Sequence, residues 1–400
     1  MRSCKKTDSS FLFSPLKKRY DYIISGAGCA GMSVLVRMLE DPFFEGKKIL
    51  VLDAAEKNTN DRTWCFWEKG NGVFESIVSH AWSRLNFFSA DYATNRELAP
   101  YRYKMIRGID LYDFVKEKAV QHPGVTWLKD RVPAIVPETD GAAIELSDRN
   151  VTAPVIINSI VWEDTRDLAK AAGAHHLLQH FKGWLIQTEE DCFDPTTATF
   201  MDFRVSQDAG TAFVYVLPTS PREALVEYTL FTADLLPQEA YDLALQEYIT
   251  KYITGKFYKT LHTEWGVIPM TNLQFPKRRG AVVNIGLAGG QVKASSGFAF
   301  QFIQRRADAL VASLKSGDTS CHQDTLQDKK FRLFDGVLLQ ILSTGQLGGD
   351  RIFTDLFQKN DVQRIFRFLD NETGLVDDLR IMWSVPTGIF LPAALRELRG

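Results

Sequence analysis

Unbroken apolar runs and helically spaced ones alternate near the start of the chain. Tyr22-Ile23-Ile24-Ser25 is one such run, and Lys48-Ile49-Leu50-Val51-Leu52 is another that closes on Asp53. Runs of that kind predict strands buried on both faces of a parallel sheet. Between them, MSVLVRMLEDPF (32–43) has apolar residues at helical spacing and predicts a helix ending near Pro42. The unit reads strand–helix–strand. Further on, LYDFVKEKAVQ (111–121) predicts a helix, while Thr126–Leu128 and Pro133–Val136 predict strands. Residues 142–160 read as a hairpin leading into a buried strand.

The pattern then changes. WLIQT, ATFMDFRV, TAFVYVLP and EALVEYTLF, between Gly183 and Phe231, are all strand-like. They predict a mixed or antiparallel sheet inserted between two parts of the first domain. Helical spacing returns at 237–252 and 298–315, and the chain beyond is mainly helical and rich in Phe, Leu and Ile. The expected class is α/β (α+β). Its expected parts are a basic tail (1–19), a discontinuous Rossmann-like domain (20–160 and 260–315), a β-rich domain (161–259) and a helical region (316–400).

Glycines sit where the first unit needs them. Gly26, Gly28 and Gly31 follow the first strand at the GxGxxG spacing, and Asp53 ends the second strand. The first glycine permits a sharp turn, the second lets backbone N–H groups approach a pyrophosphate, and the third lets helix pack on sheet. An acid at the end of the second strand suits a ribose hydroxyl pair. A dinucleotide is therefore expected. A second strand-then-glycine turn, AVVNIGLAGG (281–290), carries Gly286, Gly289 and Gly290 before the helix near Phe298. Another helix N-terminus can face a flavin and stabilise the negative charge of its reduced form, so FAD is favoured over a nicotinamide.

Bulk properties exclude more than they select. The chain has 400 residues, 45% of them hydrophobic and 24% charged, with a net charge of −2. A nucleic-acid binder would need a strongly basic face. Cys4, Cys29, Cys65, Cys192 and Cys321 have no CxxC spacing and the seven histidines form no ligand pattern. Neither disulfides nor a metal site is expected. No apolar run reaches the roughly 18–20 residues of a spanning helix. The first residues, MRSCKKTDSSFLFSPLKKRY, carry a basic excess suited to a solvated tail or an anionic membrane surface.

Several separate segments together resemble the FAD-dependent lycopene cyclases. They are the GAGCAG loop; Asp61-Arg62-Thr63-Trp64-Cys65-Phe66-Trp67-Glu68; Gln179–Trp184; Phe200–Arg204; Phe213–Pro218; Leu225-Val226-Glu227-Tyr228-Thr229; and GLAGGQVKASSGFAF (286–300). The resemblance runs from Tyr22 to about Leu395 and implies closure of the ψ-ends of lycopene into β-ionone rings, giving γ-carotene and then β-carotene. It implies reduced FAD with no net redox change, NAD(P)H as reductant, and a peripheral protein at the inner face of the cell membrane.

The chemistry is acid catalysis on an alkene, which needs a protonated carboxyl beside an apolar cavity. Glu227 matches the first Glu of the family's FLEET segment and is the leading proton donor. Asp202, in FMDFR, is a second acid or Glu227's partner. Trp64, Phe66, Trp67, Tyr215 and Tyr228 could present aromatic faces to a cation. Arg62 and Arg107 are expected at the FAD phosphates or ribityl chain. The family's second Glu is Tyr228 here. Leu287 stands where many related flavoproteins carry Asp, so the ribityl grip must come from elsewhere. Phe334–Leu342 and Ile352–Phe357 are the expected membrane contacts. The competing readings are an FAD-dependent monooxygenase or dehydrogenase on a lipophilic substrate, and a binding protein without turnover.

Overall fold

The structure, a computed structural model, describes residues 17–318 and 323–399. Most of the basic tail, with Cys4, Cys321 and Gly400, lies outside them. Lys17–Arg19, the end of that tail, forms strand β1 and pairs in parallel with β12 (Asn150–Ala153).

A six-stranded sheet lies at the nucleotide end, in the order β19 (Arg278–Arg279), β20 (Val282–Asn284), β13 (Val155–Asn158), β2 (Tyr22–Ser25), β3 (Ile49–Asp53), β9 (Val125–Lys129). All but β19 run parallel. The unbroken apolar runs are explained by cover on both faces. Ile24 and Val51 pack under helices α1 (Cys29–Glu40), α2 (Gly108–Val120) and α5 (Phe300–Ser316). Ile23, Leu50 and Leu52 pack instead against a four-stranded sheet of β1, β12, β11 (Gly141–Glu145) and β10 (Val136–Glu138). Helix α1 starts three residues earlier than its apolar spacing suggests, directly at the glycine loop, with Gly28 as its N-cap. Of the predicted strand 133–136, only Val136 belongs to one.

The second body is a seven-stranded sheet. Its order is β18 (Tyr258–Thr271), β14 (His176–Thr188), β17 (Glu223–Thr232), β16 (Thr211–Ser220), β15 (Thr197–Asp202), β6 (Arg84–Phe88), β7 (Ala93–Glu97). Every pairing is antiparallel except β15 with β6. Strands β6, β7 and most of β18 come from segments that the sequence pattern assigns to the nucleotide domain. One face packs on α4 (Gln238–Tyr252). The other joins a three-stranded sheet, β4 (Thr63–Glu68), β8 (Arg102–Arg107) and β5 (His80–Trp82), and helices from the C-terminal region. Helix α3 (Thr165–Ala171) links the two bodies.

The C-terminal region is helical as expected: α6 (Leu326–Ser343), α7 (Gly349–Lys359), α8 (Val362–Leu369), α9 (Leu375–Ser384) and α10 (Thr387–Glu397). Much of the expected membrane contact is covered by other parts of the chain, although Phe334, Leu338 and Leu342 are only half-buried. Ile352, Phe353, Leu356 and Phe357 are buried, and Phe357 stacks on Phe87 of the large sheet at 4.3 Å. In α6, Val337, Leu339 and Ile341 are buried too. Apolar spacing identifies a covered face but not what covers it.

Candidate active site

The two glycine turns meet at the carboxyl ends of the parallel strands. A Cβ on Gly31 would lie 2.1 Å from the Gly26 carbonyl oxygen, so α1 can approach β2 only with glycine there. A Cβ on Gly28 would meet nothing within 4 Å, and no side chain caps this helix terminus. The Asp53 carboxylate accepts from Ala27 N at 2.7 Å and Ala55 N at 2.8 Å, which places it against the glycine loop. Gly286, at φ +57°, sits so close to α1 that its Cβ would be 3.1 Å from that of Ala30. Its N–H donates to Gln291 Oε1 at 2.6 Å, so a glutamine closes the turn in which Leu287 replaces the expected Asp. Gly289 and Gly290 complete the turn. Ser25 Oγ and Gln291 Nε2, one beside each glycine turn, are buried without a hydrogen-bond partner. The cradle fits a dinucleotide.

The arginines divide. Burial raises the pKa of both Cys29 and Glu264, and the nearby Arg62 charge offsets a small part of that rise in each. Arg107 is clamped by Asp110 through two 2.6 Å hydrogen bonds and lines a cavity of about 680 Å³ between the two bodies. That cavity also touches Thr63, Met105, Leu225, His262 and Glu264.

Glu227 lies in the middle of β17, opposite Tyr215 of β16 and Gly183 of β14. On its far side Gly183 pairs with Glu264 of β18. Residues directly opposite share a sheet face, so Tyr215, Glu227, Gly183 and Glu264 form one row. Glycine keeps the two carboxylates unseparated: a Cβ at 183 would come within 3.0 Å of Glu264 Cγ and 3.1 Å of Leu225 Cδ1. Burial pushes Glu227 well above the usual carboxylate range and the charge of Glu264 pushes it further. The Thr229 hydroxyl, donating to Glu227 Oε1 at 2.9 Å, offsets part of this. Burial raises Glu264 less, because Thr63 Oγ1 donates to its Oε2 at 3.0 Å and Arg62 lies nearby. The pair favours a single proton, carried by Glu227, while Glu264 Oε1 is buried without a hydrogen-bond partner. Tyr103 and Cys65 complete the surroundings, both pushed well above their ordinary values by burial.

Asp202 is not Glu227's partner. It is fully buried on the opposite face, where Arg204 holds it at 2.5 and 2.9 Å and the Tyr248 hydroxyl of α4 donates at 2.7 Å. A register shift in β15 between Thr199 and Asp202 turns it away. Among the proposed aromatic faces, Tyr215 stands beside Glu227, whereas Tyr228 packs on Tyr241 of α4. Phe66 stacks on Phe300 at 3.9 Å, and Trp67 stacks on Phe366 at 4.4 Å. Glu264, Gly183, Thr63 and Tyr103 were not among the expected site residues. A lone glycine within a strand pattern, at Gly183, signals close approach and was the available hint.

Fold and site define an α/β protein of the architecture used by flavin-dependent enzymes, with a buried acid pair at the seam between its two bodies. The chain aligns with a geranylgeranyl bacteriochlorophyll reductase-like protein of Thermoplasma acidophilum at a TM-score of 0.62, 14% identity, and coverage of 96% and 99% of the two chains. A flavin-dependent brominase aligns at 0.53 and 14% identity, over 96% of this chain and 100% of the other. The family described as lycopene cyclase protein matches residues 21–394, and the chain belongs to it. Two curated relatives are named lycopene beta-cyclase. One, from Pseudescherichia vulneris, is 23% identical over 326 residues (77% of each chain). The other, from Pantoea ananas, is 24% identical over 312 residues, 74% of this chain and 75% of that one.

Proposed function

We propose that this protein is a lycopene β-cyclase, converting lycopene through γ-carotene to β-carotene without net redox change. The observation that carries the reading is the Glu227–Glu264 pair, which keeps a carboxylic proton on Glu227 in a site walled by Tyr215, Tyr103 and Leu225.

Gly26, Gly28, Gly31 and Asp53 would hold the pyrophosphate and adenosine ribose of FAD, and the turn of Gly286, Gly289 and Gly290 would take part in holding the rest of it. Arg62 lies between that cradle and the acid pair, whereas Arg107 is committed to Asp110. When bound and reduced by NAD(P)H, FAD supplies negative charge near a developing cation. The proton chemistry belongs to the chain. Glu227 delivers its proton to the terminal double bond, leaving a tertiary cation. The next double bond attacks that cation and closes the ring, and the ring proton passes back to the ionised acid pair, which leaves a neutral product and restores the pair's one proton. One proton enters and one leaves. Glu264, held by Thr63, stabilises the protonated state of Glu227 beforehand and offers a negative charge afterwards. The tyrosine faces exclude water that would trap the cation.

The test is pigment analysis in lycopene-accumulating cells. Wild type should yield cyclic carotenes, and Glu227→Gln should leave lycopene while still binding FAD. A general acid contributes ~10²–10⁴-fold, and the loss belongs at the upper end in a dry site. Stoichiometric consumption of reductant by the purified enzyme would sink the cyclase reading in favour of a flavin-dependent redox enzyme.

A further inference from the structure

The loop between the second glycine turn and α5 has a satisfied side and an unsatisfied one. Lys293, buried, donates from Nζ to Asp335 of α6 and to Asn371, both at 2.7 Å. Ser295 Oγ donates to the same Asp335 carboxylate at 2.7 Å. Backbone bonds from Lys293 N to Phe298 O and from Gly297 N to Lys293 O close the loop. Its next hydroxyl, Ser296 Oγ, is buried without a hydrogen-bond partner. Gly297 stands at φ +71°, and a Cβ there would collide with Gln179 Oε1 of β14. That oxygen is also buried without a partner. Ser296 is 3% exposed and Gln179 7%. Buried polar atoms are nearly always paired, so two orphans on touching segments mark a place kept for a ligand.

Their placement selects the ligand. Gln179 and Gly183 are four residues apart in β14, paired without irregularity to Phe231 and Glu227 of β17. They therefore share the sheet face of the acid row, roughly 13 Å apart along the strand. Ser296 lies three residues before Ala299, the N-cap of α5, a terminus that no side chain caps. It also lies five residues beyond Gln291, whose orphaned Nε2 borders the dinucleotide cradle. The orphans continue the cradle towards the acids. A side-chain amide presents an acceptor beside a donor, and a hydroxyl adds another donor. The flavin ring carries the complementary edge, an imide made of a carbonyl, N3–H and a second carbonyl. We propose that Gln179 and Ser296 form the subsite for that edge. Gln179 Oε1 accepts from N3–H while its Nε2 donates to one adjoining carbonyl, and Ser296 donates to the other. Lys293 and Ser295 hold the loop in place for this by pinning it to α6. The proposal rests on FAD being the cofactor, and it adds two residues that lie outside both glycine turns.

Titration of the full chain with FAD and with N3-methyl-FAD, followed by flavin fluorescence, tests the subsite. Wild type should bind FAD at least about tenfold more tightly, since the methyl group removes the N–H and leaves Gln179 Oε1 unpaired. Gln179→Ala makes room for the methyl group. It should bind the two flavins equally, and FAD about tenfold more weakly than wild type does. Ser296→Ala should weaken FAD binding by about fivefold and keep the discrimination. ADP reaches only the cradle, so it should bind wild type and both variants alike, which also shows that each variant is folded. Equal binding of the two flavins by wild type overturns the proposal. So does a Gln179→Ala variant that binds ADP normally and still discriminates as wild type does. Either result leaves the FAD cradle standing. Wild type that binds neither FAD nor ADP removes the cofactor reading and the subsite with it.

Discussion

Glu227 and Glu264 stand on either side of Gly183 in one cross-strand row, and each is held by a threonine hydroxyl, Thr229 for the first and Thr63 for the second. Two like carboxyls so placed cannot both ionise cheaply.

That coupling sets the pH dependence of the reaction. Glu227 must be protonated to donate, so activity is present below its raised pKa and lost as pH rises through it. In Glu264→Gln the neighbouring charge is gone and the pKa of Glu227 falls. The alkaline limb of ring formation should move to lower pH, and a limb that stays in place would refute the coupling.

Stability should follow the same proton in wild type and lose that dependence in the variant. The folded pKa of Glu227 lies above the unfolded one. Its contribution is therefore full below the unfolded value and is lost as pH rises through the folded value. Glu227→Gln carries no such titration. Its melting temperature should exceed that of wild type increasingly as the pH is raised, measured by differential scanning calorimetry at several pH values.

Gly183→Ala places a methyl group where Glu264 Cγ would be 3.0 Å away. Glu264 or Leu225 must shift, at a cost of roughly 1–3 kcal/mol. Turnover should fall at least about tenfold, because a misplaced acid loses its alignment. Flavin content should be unchanged. Full activity would mean that the close approach is unimportant.

The glycines of the first loop should separate by phenotype. Gly28→Val should leave a folded protein, since nothing lies within 4 Å of its Cβ, but should block the approach of the pyrophosphate and abolish flavin retention. Gly31→Ala collides with the Gly26 backbone and should lower the melting temperature as well. Flavin absorbance after gel filtration, read with thermal unfolding, distinguishes the two.

Asp202→Asn should behave as a structural substitution. Weakening its bonds to Arg204 and Tyr248 should cost roughly 1–3 kcal/mol. Turnover per folded molecule should stay within about twofold of wild type, far from the 10²–10⁴ expected of a general acid. A catalytic loss as large as that of Glu227→Gln would restore Asp202 to the site.

The sequence disclosed what is local. The glycine loop, its two strands and Asp53 lie within one βαβ unit, and their spacing alone indicates the turn. The strands from β14 to β17 were legible as apolar, strand-like runs, except for the first part of β14, which begins at His176. Glu227 was found through its segment rather than its surroundings, because a glutamate between apolar neighbours looks the same on either sheet face. Glu264 was missed because β18 was not read as a strand, and its relation to Glu227 exists only through Gly183. Asp202 was misplaced because of one residue. By strict alternation it would share the face of Phe200, but the irregularity in β15 reverses it, and no pattern of apolar residues announces a bulge.

The row formed by Tyr215, Glu227, Gly183 and Glu264 also depends on parity. Side chains alternate along a strand, so slipping β17 by one residue would carry Glu227 to the face that packs on α4 while preserving most of the backbone ladder. A one-residue deletion near the Pro221 turn would thus be chemically graver than many substitutions in the cavity. A change of two residues would return the acid to the right side, displaced along the strand. The acid pair is written in an odd-or-even count as much as in the identity of its residues.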